Sequence, residues 1–187
     1  MTTVDDLWYL ATRANQRAER AHHRLTDAYD DFLERRHSRR VSRSRFRTLA
    51  ERIAEFGAPY GAHSVVYRPS GELLLVWHGG VEMWVVPGGE PDSDESFRRA
   101  AERELAEEAG VEARYDGLAM SVRVELHCDD YETWGVLPLF EARVEDEVTP
   151  EPADPDGEVT DADWFEDLPE NTRDREDLRA WREFALE

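Results

Sequence analysis

The 187-residue chain has no lysine: all 23 of its formal cations are arginine, set against 43 aspartates and glutamates for a net charge of −20. Salt screens such self-repulsion, so the composition reads as that of a soluble protein from a halophile, one that repels rather than attracts nucleic acid. Cysteine is almost as scarce. Cys128 is the single one, which excludes an internal disulfide framework and fits a reducing cytoplasm; beside Asp129 it reads as a bystander rather than a nucleophile. Long apolar runs are missing too. The strongest, Leu73-Leu-Leu-Val-Trp77, is far short of a membrane span, and no apolar core of a signal peptide follows the acidic opening Met1-Thr-Thr-Val-Asp-Asp. No internal repeat is visible. Hydrophobic residues still make up 40% of the chain, enough to argue against wholesale disorder and for one domain with an appendage.

Charge divides the chain. Residues 1–58 hold twelve arginines and nine acids, net +3, and residues 59–187 hold eleven arginines and thirty-four acids, net −23. The first part reads as a helical region. Val4, Leu7, Ala11, Ala14, Ala18, Ala21, Leu25, Ala28 and Phe32 alternate spacings of three and four, which predicts one long helix with an alanine seam that a partner must approach closely. A second helix over 42–56, capped by Ser42 or Ser44, carries Phe46, Leu49, Ile53 and Phe56 and stops at Gly57. The pair reads as a helical hairpin or as the arm of a homodimer. Arg35, Arg36, Arg39, Arg40, Arg43, Arg45, Arg47 and Arg52 concentrate here with His37. Because aromatic residues among them are sparse, docking on acidic surface of the same chain or a sister subunit is favoured over binding nucleic acid.

From Ala62 the period changes to that of strands. Ala62–Arg68, Glu72–Trp77 and Val81–Val86, separated by the turns Pro69-Ser70-Gly71 and His78-Gly79-Gly80, predict a meander. Met120–Cys128 and Thr133–Val144 predict two more strands. Residues 145–163, punctuated by Pro150, Pro152, Pro155 and Gly157, read as an acidic loop. A last helix over 172–186 is expected to bury Leu178, Trp181, Phe184 and Ala185. His63 and His78 lack metal-ligand spacing and read as structural or exposed, and Tyr131 and Trp134 read as packing before base stacking.

Between the meander and the later strands lies the stretch that organises the rest. Trp84-Val-Val-Pro87-Gly88-Gly89 forms a glycine turn, residues 93–109 predict a helix capped by Asp92 or Ser93, and Gly110 stops it. At about 100° per residue, Phe97, Ala100, Ala101 and Leu105 form the inward stripe. Glu104 and Glu108 fall within about 20° of Phe97 and Glu107 about 80° away, so carboxylates gather on or beside a buried face. Like charges there are costly unless a cation neutralises them, and hard divalent ions with oxygen ligands suit carboxylates one turn apart.

Gly89, five residues, Glu95, seven residues, then Arg103-Glu104-Leu105-x-Glu107-Glu108-x-Gly110-Val111 resembles the Nudix box at every specified position. The resemblance implies a Nudix-type α/β/α sandwich with a mixed sheet, here with an N-terminal helical extension. It implies a hydrolase that cleaves the diphosphate linkage of a nucleoside diphosphate derivative by attack of water. In that family Glu104, Glu107 and Glu108 would hold Mg²⁺ or Mn²⁺, Glu95 and Arg103 would brace loop against helix, and Gly88 and Gly89 would let backbone approach phosphate. A further carboxylate often comes from outside the box, and Glu132 and Glu158 are the candidates. Two rivals share the fold: a nucleotide-sensing regulator whose basic helices bind nucleic acid, and a diphosphate isomerase, for which Cys128 is thin support. No signature here selects among nucleoside triphosphates, dinucleoside polyphosphates, nucleotide sugars and ADP-ribose.

Overall fold

The computed structural model describes residues 4–145 and 147–187. Met1 to Thr3, on which the leader reading partly rests, and the Val4 side chain at the head of the seam lie outside the described residues. In chain order the elements are α1 (Val4–Ala28), β1 (Leu33–Arg40), α2 (Arg43–Phe56), β2 (Ala62–Tyr67), β3 (Leu73–His78), β4 (Met83–Val85) and β5 (Gly88–Gly89). They continue with α3 (Phe97–Ala109), β6 (Arg114–Cys128), β7 (Tyr131–Arg143), β8 (Val159–Phe165) and α4 (Arg175–Leu186). Two compact units result. Residues 1–61 and 120–138 make one, and residues 62–119 and 139–187 the other, so β6 and β7 contribute to both. No described helix is long and apolar enough to cross a membrane.

In the first unit the alanine seam works as its spacing implies. Leu7, Ala11, Ala14, Ala18, Ala21 and Leu25 are buried, as are Phe46, Leu49, Ala50 and Ile53 on α2. Ser42 caps α2 by accepting the Arg45 N–H at 3.2 Å. Gly57 ends it at φ 88°, where a Cβ would stand 2.6 Å from that of Ala21. The expected continuous helix to Phe32 is corrected: α1 stops at Ala28, and the basic run Leu33–Arg40 is a strand parallel to β6, in register from Leu33↔Met120 to Arg40↔His127. Leu33 is the only aliphatic or aromatic side chain in that strand, so its two-residue alternation appears in exposure and not in hydrophobicity.

In the second unit β7 runs parallel to β2, β2 and β3 are antiparallel, and β3 carries β4 on one side and β8 on the other, while β5 pairs with the start of β2. The sheet is therefore mixed. Alternation along β2 distributes the layers: Val66 joins Leu74, Val76, Leu105, Ala109, Ala142 and Val159 in the core beneath α3, whereas Tyr67 faces Trp181 of α4 at 5.4 Å. This is an α/β/α sandwich. In α4, Leu178 and Trp181 are buried as expected, but Phe184 is 51% exposed and Ala185 is exposed as well, because both lie in the helix's last turn.

Candidate active site

The glycine turn and the acidic helix meet through β5. Gly88 and Gly89 pair antiparallel with His63 and Ala62, which brings loop backbone against α3. A Cβ on Gly88 would stand 2.4 Å from the Ala62 carbonyl oxygen and 2.4 Å from the His63 ring, and one on Gly89 would stand 2.6 Å from Glu104 Oε1. Only glycine permits that approach. The Gly88 N–H donates to Glu108 Oε2 at 3.0 Å.

α3 begins later than its spacing suggested. Ser96, and neither Asp92 nor Ser93, is the N-cap, accepting the Arg99 N–H at 3.2 Å. Residues 92–95 form a turn of their own, in which the Glu95 carboxylate accepts the Asp92 N–H at 3.0 Å. Gly110 closes the helix at φ 63°. Arg103 ties the pieces together. Its guanidinium donates to both Glu95 oxygens at 3.0 and 2.9 Å, to the Glu90 carbonyl at 3.0 Å, to Glu104 at 2.9 Å and to Glu107 at 3.3 Å. The Arg103 contact holds the Glu95 carboxyl below its usual range, and Glu95 in turn raises the Arg103 pKa.

The electrostatics of the helix face call for a cation. Glu108 is 8% exposed, and burial pushes its carboxyl up to about 8; the Gly88 N–H opposes the shift, while Glu104, Asp154 and Glu158 add to it. Glu104 is also raised, again by burial first, with Arg103 opposing and Glu107 and Asp154 contributing. One arginine shared among Glu95, Glu104 and Glu107 leaves Glu108 without a cation of its own among the described residues. Part-buried carboxylate oxygens short of positive charge are the donors that hard divalent cations take.

A family model, the NUDIX domain, matches residues 58–182, about two thirds of the sequence. The chain belongs to the Nudix family. Among solved structures, this Nudix chain is similar to a MutT NUDIX hydrolase from Burkholderia pseudomallei: 27% identity over 67% of this chain and 95% of that one, TM-score 0.51. It also shares its fold with the NUDIX domain of Shewanella oneidensis NrtR complexed with ADP ribose, at 21% identity over 67% and 86% of the two chains, TM-score 0.53. A Bacillus subtilis (strain 168) protein named "Putative 8-oxo-dGTP diphosphatase" is 43% identical over 53 residues. That stretch is 28% of this chain and 36% of the relative's length.

Of the residues expected in the site, Gly88, Gly89, Glu95, Arg103, Glu104, Glu107 and Glu108 are joined by the contacts above, and Glu158 lies close enough for its charge to act on Glu108. Glu158 also stands 3.4 Å from His78 Nε2, and its backbone carbonyl accepts the Gly79 N–H at 2.9 Å. Glu132 belongs to the first unit, 3.8 Å from His127. There it lines a groove of about 640 Å³ with Asn15, Arg20, His23, Arg123 and Trp134. Trp134 packs beneath the Arg123 guanidinium at 3.8 Å, and Tyr131 packs near Phe46.

Sequence reasoning passed over Asp154. Its carboxylate accepts the N–H groups of Asp156, Glu158 and Val159 at 3.2, 2.8 and 2.9 Å, folding the loop that presents Glu158. The signal was available in Asp154-Pro-Asp-Gly, an aspartate heading a turn, but it was obscured by the surrounding acids.

Proposed function

We propose that the chain is a metal-dependent pyrophosphohydrolase that cleaves the diphosphate linkage of a nucleoside diphosphate derivative by attack of water on phosphorus. The observation that carries this reading is the Glu108 carboxyl, buried and hydrogen-bonded to the Gly88 N–H, on a helix whose Glu104 and Glu107 share one arginine. Glu104, Glu107 and Glu108 would hold Mg²⁺ or Mn²⁺. When bound, such ions supply positive charge to phosphate oxygens and acidify water.

The chain's own groups do the positioning. Arg103, fixed by both oxygens of Glu95, sets the rotamers of Glu104 and Glu107, and the absent side chains of Gly88 and Gly89 let loop backbone close against Ala62 and Glu104. Glu158, or one of the helix carboxylates, would accept the proton of the attacking water; the effect of Glu158 on Glu108 favours it over Glu132 as the carboxylate from outside the box. We assign this chemistry to residues 59–187 and treat residues 1–58 as an appended region. The charge balance supports a cytoplasmic protein of a salt-rich cell.

The test is a panel of a nucleoside triphosphate, 8-oxo-dGTP, ADP-ribose, a nucleotide sugar and a dinucleoside polyphosphate, incubated with Mg²⁺ or Mn²⁺ at high salt, with products resolved by chromatography. Turnover of at least one compound to phosphate-bearing fragments, lost in a folded Glu107→Gln variant, is the expected outcome. No turnover of any diphosphate would remove the reading.

A further inference from the structure

The chain's net charge is carried by one unit. Residues 62–119 and 139–187 hold thirty acids and ten arginines, while the remaining residues hold thirteen of each. Within that balanced unit the end of β1 and the first turns of α2 present Arg40, Arg43 and Arg45 exposed and Arg47 half-buried. Arg36, one turn of the pleat earlier, forms a two-pronged pair with Glu125 at 2.7 and 2.6 Å. Arg40, Arg43, Arg45 and Arg47 have no carboxylate within ion-pair distance among the described residues, and Arg43 instead lies 5.6 Å from the Tyr131 ring.

Their position adds to the case. A helix N-terminus carries partial positive charge that favours acids, yet the first turn of α2 has none and holds arginines. α2 therefore bears an electrostatic cost that an anionic partner relieves. The same sequence supplies the complement. On β8 and the segments around it, Asp156, Asp161, Asp163, Glu166 and Asp167 are exposed and have no arginine or histidine within ion-pair distance among the described residues; Asp161 and Asp163 turn only to backbone N–H groups beside them.

We propose that the arginine face at the β1–α2 junction docks on the acidic β8 face of a second copy of this chain. Guanidinium groups suit that contact because each can meet a carboxylate with two parallel hydrogen bonds. A polyanion such as RNA is the weaker occupant, because Tyr60 and Tyr131 already lie under Arg39 and Arg43 instead of being offered to bases. The contact leaves the box residues untouched, so it stands or falls apart from the hydrolytic reading.

The test is sedimentation equilibrium of the full chain, alone and as charge-reversed variants. Wild type is expected to associate toward twice its 21.7 kDa mass, and to weaken between about 0.1 M and 1 M KCl as the Debye length shrinks from ~10 to ~3 Å. The triple change R40E, R43E and R45E should raise the dissociation constant by about 100-fold, since like charges then face each other. At positions 43 and 45 it places acids where the α2 terminus favours them, and circular dichroism is the check that it folds. The pair D161R and D163R should lose self-association in the same way, and mixing the two variants should restore it. A monomeric wild type, association indifferent to the arginine changes, or failure of the mixture to recover would each overturn the proposal. So would tight binding of a labelled oligoribonucleotide that the triple change abolishes, which would make the partner a nucleic acid.

Discussion

Glu108→Gln isolates the electrostatic cost built into α3. The wild-type carboxyl is pushed up to about 8, first by burial and then by Glu104, Asp154 and Glu158, from an ordinary value of 4.5. Between those limits the folded chain keeps a proton that the unfolded chain has released. In EDTA, stability therefore falls as pH rises from about 4.5 to about 8, at up to about 1.4 kcal/mol per pH unit, and levels off above. From about pH 5.5 to 7.5 the loss is about 2.7 kcal/mol, or roughly 5–10 °C in Tm for a chain of this size. Glutamine keeps the shape and has no proton to lose. Thermal melts of both proteins in EDTA across that range should show the Glu108→Gln curve flatter and, at the alkaline end, higher. Added Mn²⁺ should reverse the order, because it binds the ionised carboxylate and expels the proton. Parallel pH slopes for the two proteins would mean that Glu108 keeps no such proton on folding.

Other substitutions probe the supports of the site. His63 is half-buried, and loss of water around its ring, followed by the charge of Arg173, lowers it to about 4 from 6.5. The stability linked to the neutral ring is thus present above about pH 6.5 and lost as pH falls toward 4; His63→Leu should flatten that acid limb in a circular dichroism titration. Arg103→Lys cannot reproduce the two bonds to Glu95 together with those to Glu104 and Glu107, so kcat/KM on whichever diphosphate is turned over should drop by about 100-fold with folding retained. Gly88→Ala and Gly89→Ala should separate stability from activity. The first drives a methyl into the Ala62 carbonyl and the His63 ring and should cost about 1–3 kcal/mol; the second meets the Glu104 carboxylate and should cost activity more than Tm.

The box was readable because its signal is local. Phe97, Ala101, Leu105 and the glutamates follow one helical period, and Gly110 ends the helix where a left-handed residue is needed. The meander was readable for a similar reason, since apolar strands alternate with turns at Pro69-Ser70-Gly71 and His78-Gly79-Gly80. β1 was hidden because Glu-Arg-Arg-His-Ser-Arg-Arg follows Leu33 without apolar alternation, and what makes it a strand is the parallel ladder to residues 120–127, nearly ninety positions away. The role of Asp154 escaped for a related reason. Its three backbone bonds depend on how the proline-rich loop closes, and composition marks such a loop only as acidic. Phe184 and Ala185 fit the helical period of α4, but at its end no layer remains to cover them.

If Glu104, Glu107 and Glu108 together hold a divalent ion, binding of that ion depends on all three. Electron paramagnetic resonance of Mn²⁺ titrated into the chain at about pH 8, where Glu108 ionises, reads this without any substrate. Saturable loss of the free Mn²⁺ signal is expected in wild type, and little or none in Glu104→Gln, Glu107→Gln or Glu108→Gln. Equal binding by wild type and all of these variants would contradict it.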